Sequence, residues 1–161
     1  MTERSIIHDT FVLERTYPAS PSRVFAAFAS KEAKDAWGDT GDTGDTGEAE
    51  PAVGPVEFDF RVSGHERFGF VYQGVNYTYD ASYYDIVPDQ RLVYSYEMYA
   101  DGARISVSLA TIELTGSDDD DTKLTWTEQG AYLDGFDGQD APQLRQGGTS
   151  EMLDGLAKYL A

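Results

Sequence analysis

The chain has 161 residues, 29 Asp+Glu against 12 Lys+Arg for a formal net charge of −17, and no Cys. That length suits one domain with a core of its own, and the lack of Cys removes disulfides, thiolate metal centres, iron–sulfur clusters and cysteine nucleophiles. The acidic excess argues against nucleic acid and anionic lipid as partners, since both are held by clustered Lys and Arg.

Residues 6–17 carry Ile7, Phe11, Val12, Thr16 and Tyr17 ahead of Pro18 and read as a strand. Ser20 as cap, Pro21 at the first position and the stripe Val24, Phe25 and Phe28 predict a helix directly after it, and residues 31–37 add a second short one ending at Trp37. Residues 38–54, GDTGDTGDTGEAEPAVG, repeat Gly-Asp-Thr without any apolar period and are expected to form an exposed loop.

From Pro55 to Tyr132 the period is close to two, with turn signals at Ser63-Gly64, Gln73-Gly74, Pro88-Asp89, Asp101-Gly102 and residues 116–121, so six consecutive antiparallel strands are expected. In RLVYSYEMY, Leu92, Tyr94, Tyr96 and Met98 share one face, and Val93, Ser95 and Glu97 the other. Further on, Ile105, Val107 and Leu109 alternate with Ser106 and Ser108, and Leu124, Trp126 and Glu128 alternate with Thr125 and Thr127. The greasier set on each strand is expected to face inward, as in a sheet with one solvated side.

The last element reads as a long helix with Asp140 as cap, Pro142 in the first turn, Gln143 three residues after the cap, and Leu144, Met152, Leu153, Leu156 and Leu160 as its apolar stripe. Gly147-Gly148 lies inside it. Each glycine costs a helix roughly 1 kcal/mol relative to Ala, so the pair predicts a bend or a place of close packing. The fold class expected is α+β: a curved antiparallel sheet of about seven strands, two short helices after the first strand, and a long C-terminal helix over the concave face, in a single domain over residues 1–161.

This order of elements resembles the helix-grip fold of the START-like, or SRPBCC, superfamily, which includes birch-pollen allergens and polyketide cyclases. The segment FVLERTYPASPSRVFAAF, leading to Trp37, is similar to the opening of the branch related to the heat-shock-protein-90 ATPase activator, and YYDIVPDQRLVYSYEM, ARISVSLATIEL and TKLTWTEQGAYLDGFDG look like bacterial single-domain members. Where many relatives carry a double Trp followed by Gly and Pro, this chain has Trp37-Gly38 and then the Gly-Asp-Thr repeat.

The resemblance implies a cavity between sheet and C-terminal helix that takes a small hydrophobic or amphipathic ligand. Its expected lining is Trp37, Tyr94, Tyr96, Met98, Val107, Leu109, Trp126, Glu128, Met152 and Leu156, a mostly apolar surface with a few polar tips. The alternative is a solid core, the default for protein interiors. Glu128 is the candidate catalytic residue: on an apolar face its pKa is raised, which suits a general acid, a base or a ligand anchor. The competing reading pairs it with Arg104, Arg145 or backbone donors. An acid–base cyclase, dehydratase or hydrolase would draw on Glu128, Tyr94 and Tyr96, and the family name adds a chaperone-ATPase regulator as a third reading.

No metal and no cofactor is expected. His8 and His65 have no metal-ligand spacing, no nucleophile elbow or phosphate loop occurs, and Asp39, Asp42, Asp45 and the Asp118–Asp121 run match no calcium-loop pattern. No apolar run approaches the roughly 18 residues of a membrane span, and MTERSIIHDT lacks the profile of a secretion signal, so a cytoplasmic monomer or homodimer is expected.

Overall fold

The computed structural model describes residues 4–38, 56–116 and 121–161. The Gly-Asp-Thr repeat after Gly38 and Asp118–Asp120 of the acidic run lie outside these residues. Strand β1 (Ile6–Tyr17) leads into helices α1 (Pro21–Ala29) and α2 (Lys31–Gly38). Six strands follow, β2 (Glu57–Phe58), β3 (His65–Tyr72), β4 (Val75–Val87), β5 (Arg91–Ala100), β6 (Ala103–Gly116) and β7 (Thr122–Leu133), and helix α3 (Ala141–Leu160) ends the chain. All seven strands pair antiparallel in one sheet of order β1-β7-β6-β5-β4-β3-β2.

Local chemistry accounts for the joints. The Ser20 hydroxyl accepts from the Arg23 backbone N–H at 3.3 Å and Pro21 opens α1, the arrangement a capped helix start favours. The β3–β4 and β5–β6 hairpins turn on Gln73-Gly74 and Asp101-Gly102, with φ of 49° and 79° in one and 49° and 86° in the other. Positive φ at both central residues is the turn whose twist suits a two-residue hairpin. At α3 the expectation fails in part: Asp140 stands at the cap position but makes no side-chain capping bond, because residues 138–140 already form a tight helical turn that carries the chain into the helix.

The core lies where α1, α2 and α3 cover the concave face. Helix α3 packs chiefly on α2, β1 and β7, burying Leu153, Leu156 and Leu160. Leu144, expected on the same stripe, is exposed. Val107 and Leu109 are a second correction: both lie on the convex face, while Ser106, Ser108, Ala110, Ile112 and Leu114 face inward. The cause is a bulge. Tyr99 pairs with Arg104 but Met98 with Ser106, so Ile105 is an extra residue in β6 and the alternation changes phase there. Ile105 is itself buried, against Ile7, Tyr132, Phe136 and Ala141.

Gly147 and Gly148 neither interrupt α3 nor meet anything closely. The helix runs unbroken through them, and a Cβ built on either finds no atom within 4 Å. Both sites therefore carry the helical cost of glycine with no packing gain. Gly147→Ala and Gly148→Ala are each expected to raise stability by up to about 1 kcal/mol, read by thermal or urea unfolding. A loss of stability on either change would mean that the backbone freedom is needed.

Candidate functional site

The concave face divides into two halves. Under α3 it is packed tight by Leu124, Trp126, Tyr94 and Ile112 from the sheet, together with Leu153 and Leu156. Toward the other edge, the inward positions of β3 and β4 are aromatic and only half-buried: Phe68, Phe70, Tyr77 and Tyr79, with Met98 of β5 beside them. These rings form a continuous surface. Phe70 stacks on Tyr77 at 5.2 Å and Phe68 on Tyr79 at 5.0 Å, Tyr79 meets Tyr96 at 5.1 Å, and Phe136, in the loop before α3, stands edge-on to Tyr77 at 6.4 Å. The result is a half-buried strip of aromatic rings on the inner face of the sheet.

A buried polar cluster adjoins this strip at Tyr96. The Glu128 side chain is fully buried. Its Oε2 accepts from the Tyr96 hydroxyl at 2.7 Å, and its Oε1 from the Trp126 indole N–H at 3.2 Å. Arg145, one turn into α3, crosses over the sheet, its guanidinium donating to the Tyr96 oxygen at 3.0 Å, to Ser108 at 3.3 Å and to Ser106 at 2.8 Å. It lies 3.9 Å from Glu128, 5.3 Å above the Tyr96 ring and 5.4 Å above that of Tyr132. Small residues at 106 and 108 leave the space that the guanidinium fills. Gly130 serves the same end, since a Cβ there would stand 3.0 Å from the Tyr132 oxygen and 3.2 Å from that of Ser108.

Burial is the main influence on Glu128 and pushes its carboxyl above the ordinary value of 4.5. The Tyr96 hydrogen bond, the Arg145 charge and hydrogen bonds from Trp126 and Ser108 pull against it without cancelling it. Tyr96 is raised as well, again mainly by burial, with Arg145 opposing. The pair is a carboxyl that holds its proton to higher pH and a phenol that keeps its own, an arrangement fit to hand a proton to a neighbouring oxygen. At the other end of the tyrosine row, Glu66 is also buried, accepting from the Tyr83 hydroxyl at 3.0 Å and from Lys34 of α2 at 2.5 Å.

Of the residues expected to line a site, Tyr94, Tyr96, Trp126 and Glu128 are brought together, with Met98 at their margin. Trp37 and Leu156 belong to the packed core, Trp37 giving its indole N–H to the Ala27 carbonyl at 2.7 Å and standing edge-on to Phe28. Met152 packs half-buried against that core, and Val107 and Leu109 are on the opposite side of the sheet. Arg145 is the partner of Glu128, whereas Arg104 pairs with Glu97 on the surface. Phe68, Phe70, Tyr77, Tyr79, Tyr83 and Glu66 were missed. Their signal is the same alternation, in residues 66–72 and 77–83, that marks β5. Both histidines are exposed, and among the described residues no group of three or more His, Asp or Glu is placed to hold a metal ion. No helix among them is long and apolar enough to cross a membrane.

A family model described as "Activator of Hsp90 ATPase homolog 1-like protein" matches residues 18–161. The chain is similar to the solved structure of the protein Mll3558 of Rhizobium loti, at 46% identity over 97% of this chain and 99% of that one with a TM-score of 0.80. It is likewise similar to a protein of Rhizobium leguminosarum, at 37% identity over 99% and 98% of the two chains with a TM-score of 0.81. For the protein CV1439 of Chromobacterium violaceum the values are 25%, 94% and 97%, and 0.65. No curated protein matches.

Proposed function

Since the chain belongs to the family of Activator of Hsp90 ATPase homolog 1-like proteins, of the SRPBCC type with a helix-grip fold, we propose that its concave face binds a small hydrophobic or amphipathic ligand. The observation that carries this reading is the row of half-buried rings Phe68, Phe70, Tyr77 and Tyr79 beside a fully buried Glu128. Apolar surface left open next to fixed polar groups is the usual composition of a small-molecule site, and a sheet face with no further use would be covered or polar. The ligand would lie along the aromatic strip, with its polar end toward Tyr94, Tyr96 and Arg145. Native mass spectrometry of freshly purified protein is expected to show added mass that mild activation removes, together with the number of subunits. Bare protein that also shows no amide shift changes on Phe68, Tyr79 or Tyr96 with apolar aromatic probes would end this reading.

A second reading makes the same site catalytic. The observation in its favour is the raised carboxyl of Glu128, hydrogen-bonded to Tyr96 beside the aromatic strip. An acid–base cyclase, dehydratase or hydrolase would use Glu128 as proton donor and Tyr96 to position it. Glu128→Gln is then expected to abolish turnover while leaving ligand affinity in place; turnover unchanged by the substitution would leave binding as the whole function.

A further inference from the structure

Tyr94 and Tyr79 stand between the two buried carboxylates, and neither hydroxyl has a hydrogen-bond partner among the described residues, although Tyr94 is only 7% exposed. Their neighbours in the row are fully used: Tyr83 donates to Glu66 and Tyr96 to Glu128. Among the described residues, no side-chain oxygen or nitrogen that is wholly sealed from solvent lacks a partner. The tips of Tyr94 and Tyr79 are therefore not wholly sealed from solvent, and each keeps an unused hydroxyl proton to donate.

Resting on the ligand-binding reading above, we propose that the recognition element of the ligand is an uncharged acceptor, a carbonyl oxygen on an apolar body, received by the hydroxyls of Tyr94 and Tyr79. Three features of the site point this way. Burial, the largest influence on both phenols, raises them well above the ordinary range, so each keeps the proton it donates. Beside these hydroxyls an ammonium group finds, among the described residues, no carboxylate without a cation already on it. Glu66 already holds Lys34 and Glu128 already holds Arg145, and the ring face of Tyr96 is occupied by the Arg145 guanidinium. A carboxylate meets a chain of net charge −17, with Glu66 and Glu128 at the two ends of the tyrosine row. A neutral carbonyl is repelled by neither.

The test compares four probes on one naphthalene body: acetonaphthone, its acceptor-free isostere ethylnaphthalene, naphthoate and naphthylmethylammonium. Binding is measured by amide shift perturbation and calorimetry on the intact chain and on Tyr94→Phe. The ketone is expected to bind about three- to tenfold more tightly than ethylnaphthalene, the gain of one or two neutral hydrogen bonds, and more tightly than either ion. Tyr94→Phe is expected to shrink the ketone's advantage while leaving ethylnaphthalene's affinity unchanged. Because the lost hydroxyl has no partner, this variant keeps the wild-type melting temperature, so the comparison is made on folded protein. Ketone and hydrocarbon binding equally, a preference for either ion, or an advantage that survives in Tyr94→Phe would overturn the inference and leave apolar binding standing. Failure of all four probes to bind would remove the ligand-binding reading itself.

Discussion

Arg145→Met is expected to destabilise the protein by about 3 kcal/mol at neutral pH, near the lower end of what removing one partner of a buried ion pair costs. The substitution keeps length and apolar bulk over the Tyr96 and Tyr132 rings. It leaves the Glu128 carboxylate with no cation, and Ser106, Ser108 and the Tyr96 oxygen without their guanidinium donors. The pH dependence identifies the cause. In the wild type, the folded-state pKa of Glu128 lies above its ordinary value of 4.5, so its contribution to stability is fully present below that value and is lost as pH rises through the folded pKa. Without Arg145 the folded pKa moves further up. The deficit of the variant relative to wild type should therefore shrink as pH falls toward 4.5, where Glu128 carries a proton in both. Adding Glu128→Gln to Arg145→Met should recover much of the loss at neutral pH. Urea unfolding of the wild type, each single variant and the double variant at neutral and acid pH measures this, and a deficit that stays constant with pH would show that the charge on Glu128 is not its source.

Leu156→Ala and Leu109→Ala should differ by several kcal/mol, although the sequence groups both residues with a single apolar site. Leu156 is fully buried in the core between α3 and the sheet. Removing it creates a cavity at a cost of about 2–5 kcal/mol. Leu109 is 37% exposed on the convex face, where substitutions usually stay within about 0.5 kcal/mol. Denaturant midpoints give the comparison directly. A large loss at Leu109 would place it against something that covers the outer face of the sheet, such as a second subunit.

The contrast shows where sequence reasoning ran out. Period-two alternation located every strand from β3 to β7, and it placed Leu92, Tyr94, Tyr96 and Met98 on the inner face because nothing interrupts β5. It failed in β6 because Ile105 is both apolar and buried, so it sets a phase that the bulge then reverses. Local pattern cannot distinguish a residue that begins an alternation from one that breaks it. Composition misled in the same place: Ser106 and Ser108 read as an outer face, yet both are buried, kept small by a guanidinium arriving from a helix some forty positions later. Glu128 was legible because a carboxylate at an apolar position is conspicuous. Its true partner was only one of several candidates, since which arginine meets it depends on how α3 crosses the sheet.

Beside the tyrosine row, α2 is tied down by Lys34 on Glu66 and α3 by Arg145 on Glu128, and Arg15 of β1 holds α3 further along through Asp154 and Ser150. The ties of the two helices share no residue. Native-state hydrogen exchange should then resolve two separate openings of the interior, one releasing the backbone amides of α2 and the other those at the start of α3, each with its own free energy below that of global unfolding. A molecule so built has two doors into one room, each bolted separately.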